Sequence, residues 1–336
     1  MTAPNKSPDP GRILQALSSY QLPMALKGAL DLEIFTHVAA GANTVAQLAS
    51  LAKASEKGIR VLCDYLTVQG FLVKTDGTYS LEPETGIFLD KNSPAYMGSV
   101  AGFLTHDLMR KNFSDVAAIV RKGGAVFHEM LGPDDDIWVE FARSMAPMMA
   151  LPAQLTAAQV TTPGTPTKVL DIAAGHGIYG LAVAKFNPAA EITAADWGNV
   201  LEVARENAQR MGLADRFHTI PGSAFDVELG TGYDVILLPN FLHHFDEATN
   251  VKLLKKLRAA LKPGGILATV EFVPNDDRVS PPHAATFAMM MLGGTESGDA
   301  YTFKDLDRMC RAAGFGASET RALAPAPQTL LLTQYK

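Results

Sequence analysis

The chain has 336 residues, 47% hydrophobic and 19% charged, with a formal net charge of −6, which is ample apolar material for more than one core and no match for a phosphate backbone. No nucleic-acid partner is expected, since no Lys/Arg block relieves the acidic balance. No uninterrupted apolar run of about eighteen residues occurs, and the opening MTAPNKSPDPGR has prolines where a signal peptide needs an apolar core, so a soluble, cytoplasmic protein without membrane association is expected.

From Ile13 to about Gln159 apolar residues recur mostly at helical spacing, as in ILQALSSYQLPMALKGALDLEIF. Thr44-Val-Ala-Gln47 is a capping-box start, KGIRVLCDYLTVQG a second helix, and FLVKTDGTYSL predicts two short strands about an Asp76-Gly77 turn. Helix, helix and wing form a winged-helix pattern. Its cations Lys53, Lys57, Arg60 and Lys74 stand against Glu56, Asp64 and Asp76, too balanced for a DNA-reading face. The surrounding apolar helices, LPMALKGALDLEIF above all, exceed what so small a unit buries internally and predict pairing with a second copy. The expected layout is a dimerisation domain over 1–105 and a helical linker over 106–160 that contributes to a substrate pocket.

TTPGTPT, Thr161 to Thr167, breaks the helicity, and short β-branched runs then alternate with amphipathic helices over 161–336. Strands are predicted at Lys168–Ile172, Glu191–Ala195, Arg216–Ile220, Tyr233–Leu238 and Ile266–Phe272, with helices starting near Ile178, Asn199 and Asp246. A further helix opens at the capping box Thr302-Phe-Lys-Asp305, and TLLLTQYK supplies a last strand. This is a doubly wound, Rossmann-like α/β sheet. Cys63 and Cys310, each inside an apolar helical pattern, read as reduced, buried thiols.

VLDIAAGHGIYG, Val169 to Gly180, contains G-x-G-x-x-G at Gly175, Gly177 and Gly180, and Asp196 follows about twenty residues after the first glycine, as in a dinucleotide site. Such a turn after the first strand brings backbone close to any ligand at the strand ends. Asp171 discriminates between ligands. A pyrophosphate gains nothing from a carboxylate there, whereas a sulfonium with an amino-acid ammonium group does, which favours S-adenosylmethionine over NAD. Asp196 suits the ribose hydroxyls of either.

Together, VLDIAAGHG, AADWGNVLEVA and LKPGGILATVEFVP resemble motifs of the class I S-adenosylmethionine-dependent methyltransferases, and within them the dimeric small-molecule O-methyltransferases of hydroxyindole, caffeate and bacterial polyketide type. The resemblance covers nearly the full length, because that family also carries an N-terminal winged-helix dimerisation domain. It implies a homodimeric enzyme that moves a methyl from S-adenosylmethionine to a hydroxyl of an aromatic or polyketide-like acceptor. It also implies a cofactor site formed by Asp171, Gly175, Gly177, Asp196, Trp197 and Asn240. Gly222-Ser223-Ala224-Phe225 stands where the family has Gly-Asp-Met-Phe, which places Ser223, Ala224 and Phe225 at the adenine.

Leu242-His243-His244-Phe245 matches the family's Leu-His-Asp-Trp, so the resemblance makes His243 the general base. An imidazole ordinarily titrates near neutrality and suits removal of a proton from a phenol or similar hydroxyl; the plainer reading is that His243 caps the helix starting at Asp246 or fills the cleft floor. Neighbours in an extended segment point oppositely, so His244 is expected to face away. The family's orienting acid, in a Glu-Arg-Thr stretch, falls on Ala300, Tyr301 and Thr302 and is missing here; Asp299 and Glu296 are the replacements on offer, each equally readable as a solvated charge. IWVEFARSMAPMMALP resembles the segment that flanks an aromatic substrate and offers Trp138, Phe141, Met145 and Met149, with Met290 in FAMMML on the opposite wall. Methionines at helical spacing read equally well as core. The alternative reaction is C-methylation, for example of an α-keto acid, which some relatives perform with histidine-held iron; His244 and His283 are the companions available to His243, without a ligand spacing that supports a metal site.

Overall fold

A computed structural model describes residues 9–127 and 135–336. The chain divides into two compact units, Met1–His106 and Asp107–Lys336.

In the first unit, α1 (Gly11–Ser18), α2 (Gln21–Asp31) and α3 (Ile34–Ala39) precede α4 (Val45–Leu51) and α5 (Glu56–Val68), followed by the hairpin β1 (Leu72–Thr75) and β2 (Thr78–Leu81) and two short helices, α6 (Pro83–Phe88) and α7 (Val100–Leu104). The capping box at Thr44 and Gln47 is formed as expected, and Ser55 caps α5 through the Gly58 N–H. Asp76 and Gly77 both have positive φ, 48° and 80°, the twist a two-residue hairpin turn demands. Phe35, Leu48, Ile59, Leu66, Leu72 and Tyr79 close the core. The wing's charges satisfy one another: Asp64 accepts from Lys74 and Tyr79 and pairs with Arg60.

The second unit begins with α8 (Asp107–Asn112), α9 (Val116–Lys122) and the long α10 (Asp136–Val160). Then β3 (Thr167–Ile172), α11 (Ile178–Phe186), β4 (Ala190–Asp196), α12 (Gly198–Arg210), β5 (Phe217–Pro221), β6 (Tyr233–Pro239), α13 (Glu247–Ala260) and β7 (Leu261–Glu271) alternate. The chain finishes with α14 (Pro282–Gly294), α15 (Phe303–Ala312), β8 (Ser318–Ala322) and β9 (Thr329–Gln334). The sheet order is β5-β4-β3-β6-β7-β9-β8; the first five strands run parallel, and β9 is antiparallel to both β7 and β8. Strand order reverses between β3 and β6, and in such sheets the crevice beyond the strand C-termini at that point is the ligand site.

Two details differ from the sequence expectation. β7 begins at Leu261 and not at Ile266, because Leu261 already pairs with Tyr233 before a register shift over the Pro-Gly-Gly stretch. β8 was not expected; only Ser318 of it is buried, so it shows no apolar alternation. Cys63 and Cys310 are free and buried, as expected. No helix among the described residues is long and apolar enough to cross a membrane.

Candidate functional site

The glycine turn leaves β3 and enters α11 with Gly175 and Gly177 at φ 56° and 72°, and a Cβ on Gly177 would stand 2.9 Å from Ala204 of α12. Gly180 lies one turn into α11, where a Cβ would meet Ile192 of β4 at 2.6 Å, so helix packing alone requires a glycine there. Its N–H donates to Asp171 Oδ2 at 2.9 Å. Asp171 is fully buried and its Oδ1 has no hydrogen-bond partner. Burial pushes its pKa up to about 8, against the pull of the Gly180 N–H. His176, between the two glycines, accepts the Ile178 N–H on Nδ1, and burial pushes its pKa down to about 4, which keeps it neutral.

Asp196 ends β4 and ties the turn to the second strand. Its Oδ2 accepts the Gly175 N–H and its Oδ1 the Trp197 N–H, both at 2.7 Å, while its carbonyl accepts from Gly222. Burial raises its pKa despite those two donors. The Gly222 contact brings in Ser223, whose Oγ accepts the Phe225 N–H; Ala224 is buried and Phe225 meets Phe245 edge-on with centroids 5.1 Å apart.

Beyond β6 the chain turns sharply. Asn240 takes a positive φ of 52° and its N–H donates to Val270 O; a 3₁₀ turn, Leu242–His244, follows. Buried Asn250 of α13 holds that turn by donating to the carbonyls of Leu242 and Phe245. Asp246, not His243, caps α13. His243 is buried, and its Nδ1 lies 2.6 Å from Oε2 of Glu271, the last residue of β7. The other oxygen of Glu271 accepts the N–H groups of Phe241 and Leu242 at 3.0 and 2.8 Å. With Nδ1–H donated to the carboxylate, Nε2 is the nitrogen left to take a proton. Phe287 of α14 meets the imidazole edge-on at 4.8 Å and stacks on Phe272 at 4.3 Å.

His244 does not point away as an extended segment would make it. The 3₁₀ turn sets its ring 4.4 Å from that of His243, and burial together with the neighbouring imidazole holds its pKa well below the ordinary value. Asp299 pairs with Arg278 and Glu296 is an exposed loop residue, so neither is the carboxylate on His243. Sequence reading missed Glu271; the signal available was an acid closing the apolar run ILATVE.

Along α10, Met145 and Met149 are buried and Phe141 is half-buried, spaced four apart on one face. Met149 Sδ receives the amide of Asn240 at 3.4 Å and lies 3.9 Å from both Tyr179 Oη and Gln328 Nε2. Trp138 sits elsewhere: it meets Trp197 edge-on at 5.2 Å and packs with Val200 and Val203 of α12, beside the Asp196 end of the sheet. Met290 is half-buried on α14, one turn from Phe287. Among the described residues no group of three or more His, Cys, Asp or Glu side chains could hold a metal ion.

Residues 109–316 match the O-methyltransferase domain, and residues 14–91 match the O-methyltransferase dimerisation domain. The chain belongs to the O-methyltransferase family. Among its relatives is the 3-hydroxy-5-methyl-1-naphthoate 3-O-methyltransferase of Streptomyces sahachiroi, 27% identical over 89% of this chain and 86% of that one. A crystal structure of a candidate O-methyltransferase from Nostoc punctiforme is 44% identical and superposes with a TM-score of 0.94 over 98% of this chain and all of that one. Human N-acetylserotonin methyltransferase in complex with S-adenosylmethionine shares the fold at 20% identity and a TM-score of 0.85 over 99% of each chain. In this O-methyltransferase the glycine turn, the Asp196 carboxylate and the His243–Glu271 pair all fall within the matched domain, at or just beyond the C-terminal ends of β3, β4, β6 and β7.

Proposed function

We propose that this O-methyltransferase carries a methyl group from S-adenosylmethionine to a hydroxyl of an aromatic or polyketide-like small molecule, with His243 as the general base. The observation that carries the reading is the buried His243–Glu271 pair at the end of β6. The carboxylate fixes the ring and its tautomer, so Nε2 can take the hydroxyl proton as the oxygen becomes a nucleophile.

The cofactor pocket fits its ligand on three counts. Asp171 keeps one buried, unpartnered oxygen, and a cation is the ligand such an atom favours. Asp196 oxygens each hold one backbone N–H and retain a lone pair for a ribose hydroxyl. Gly175 and Gly177 leave the turn without side chains. Trp197, Ser223, Ala224, Phe225 and Asn240 complete the proposed pocket. When bound there, S-adenosylmethionine supplies an electrophilic methyl on a sulfonium. Phe141, Met145, Met149, Phe287 and Met290, on α10 and α14, form the apolar walls that hold a flat acceptor, and Trp138 supports the cofactor side through Trp197. The naphthoate substrate named for the Streptomyces relative supports an aromatic acceptor.

A homodimer is part of the same proposal, supported by the dimerisation-domain match and by the apolar face of α1, none of whose residues is buried. Two free thiols support a reducing, cytoplasmic setting.

The test is transfer of isotope-labelled methyl from S-adenosylmethionine to hydroxy-1-naphthoates by the wild type and His243→Ala. The wild type should form a methyl ether, and the variant should lose roughly 10²- to 10⁴-fold in kcat while S-adenosylmethionine affinity stays unchanged. Label on carbon in the product would replace O-methylation with C-methylation, and full activity in His243→Ala would remove the base.

A further inference from the structure

Gln328 is 3% exposed, and its Oε1 is buried without a hydrogen-bond partner. A buried amide oxygen left unpaired costs free energy, so a native protein keeps one where something else completes it. Its Nε2 meets only a weak acceptor, Met149 Sδ at 3.9 Å. Asn240 presents the same pattern at that sulfur: its Nδ2 reaches Met149 Sδ at 3.4 Å and its Oδ1 is buried and unpartnered. Two amide oxygens short of a donor thus gather around one methionine of the proposed acceptor wall.

The place of Gln328 in the sheet points to the acceptor and not the cofactor. Gln328 directly precedes β9, whose first residue, Thr329, pairs with Glu271. Gln328 therefore stands at the level of the carboxylate that holds His243. The glycine turn and Asp196 lie on β3 and β4, on the far side of β6 and β7 in the strand order. Gln328 also lies past residue 316, where the match to the family's domain ends.

We infer that Gln328 is a specificity-determining residue for the methyl acceptor: its side-chain oxygen accepts a hydrogen bond from a second donor on the acceptor, a hydroxyl or N–H other than the one that is methylated. The inference rests on the aromatic-acceptor reading and narrows it to acceptors that carry two donors. A group of this chemistry could also come from the cofactor's ammonium, and the arms of the test separate the two.

The test is binding, so it does not depend on turnover. The full-length protein, saturated with S-adenosylhomocysteine, is titrated calorimetrically with a matched set of mono- and dihydroxy-1-naphthoates, as wild type and as Gln328→Met. Methionine keeps the length of glutamine and removes both amide groups. At least one dihydroxy isomer should bind wild type about fivefold more tightly than its monohydroxy parents, the worth of one neutral hydrogen bond. Gln328→Met should lose that gain while Tm, S-adenosylhomocysteine affinity and monohydroxy affinity hold. No gain for any isomer, or a gain that survives in Gln328→Met, overturns the inference. So does a fall in S-adenosylhomocysteine affinity in the variant, which would give the amide to the cofactor. Naphthoate binding with this preference but no methyl transfer would defeat the reaction proposed above and leave Gln328 as the recognition residue.

Discussion

Glu271 holds His243 with one oxygen and the backbone of the turn beneath it with the other. The arrangement follows from strand register. β6 and β7 run parallel with Pro239 beside Val270, so the residue after Val270 meets the chain as it leaves β6. One buried carboxylate thereby fixes both the orientation of the imidazole and the 3₁₀ turn that carries it.

Glu271→Gln should lower kcat by roughly 10²- to 10⁴-fold with little change in acceptor KM. Glutamine retains an oxygen for the Phe241 and Leu242 N–H groups but removes the negative charge that stabilises a protonated ring. Glu271→Ala should lower Tm as well, since two buried N–H groups lose their acceptor at about 1–3 kcal/mol each. Steady-state kinetics with calorimetric melting separates the two effects. Wild-type kcat in Glu271→Gln would mean that the pair is structural only.

The loop after α14 packs against the same turn. A Cβ on Gly298 would clash with the His243 carbonyl oxygen and lie 2.6 Å from Thr295 Oγ1. Gly298→Ala should therefore displace the turn and cut kcat by up to about 10²-fold, the order of rate that a displacement near 1 Å costs. Gly294→Ala is the control: a Cβ there meets nothing within 4 Å, and Tm and kcat should hold. Equal kinetics in both variants would show that the loop yields freely.

Local chemistry made much of this fold legible. The capping boxes at Thr44 and Thr302 and the Asp76-Gly77 hairpin form as their side chains dictate, and the parallel strands fall within a residue or two of their apolar runs apart from the early start of β7. Asp196 stood out in the sequence because it closes a strand of recognisable pattern, and His243 because it follows one within a few residues. What escaped depends on distant pairing or on backbone torsion. Glu271 meets His243 only through the register of β6 on β7, far in sequence from Glu296 and Asp299. Gln328 is a polar residue between the largely exposed Ala-Pro-Ala-Pro stretch and the apolar β9, and nothing beside it in the sequence announces its burial. His244 lies beside His243 and not opposite it because the segment is a 3₁₀ turn and not extended.

In α1, Ile13, Leu14 and Leu17 are between 62% and 72% exposed, and Tyr20 follows at 68%. Such a continuous apolar face on a described surface marks an association site. Leu14→Asp with Leu17→Asp should convert a dimer to a monomer at micromolar concentration by light scattering, and Leu17→Met should not. A wild-type monomer, or a dimer that survives both aspartates, would move the interface elsewhere.

Asp171 makes the ligand-free protein and its cofactor affinity respond to pH in opposite directions. Its folded pKa, about 8, lies above the ordinary carboxyl value of 3.8. The folded state therefore holds this proton more tightly than the unfolded state. The stabilisation is complete below the unfolded value and is lost as pH rises through the folded one, at a slope of up to about 1.4 kcal/mol per pH unit. The unfolding free energy of the ligand-free enzyme should accordingly fall from about pH 5 to pH 8, after the contributions of other groups are removed by comparison with Asp171→Asn, which should show a flatter profile and a higher Tm at the upper end. A cation beside the unpartnered Oδ1 favours the ionised carboxylate instead. Binding of S-adenosylmethionine at pH 7 should then release up to one proton, visible as a dependence of the calorimetric enthalpy on the ionisation enthalpy of the buffer. Asp171→Asn should bind the cofactor more weakly and release none. Proton-neutral binding by the wild type at pH 7, with affinity unchanged in Asp171→Asn, would take Asp171 out of the cofactor site and leave it a helix anchor for Gly180.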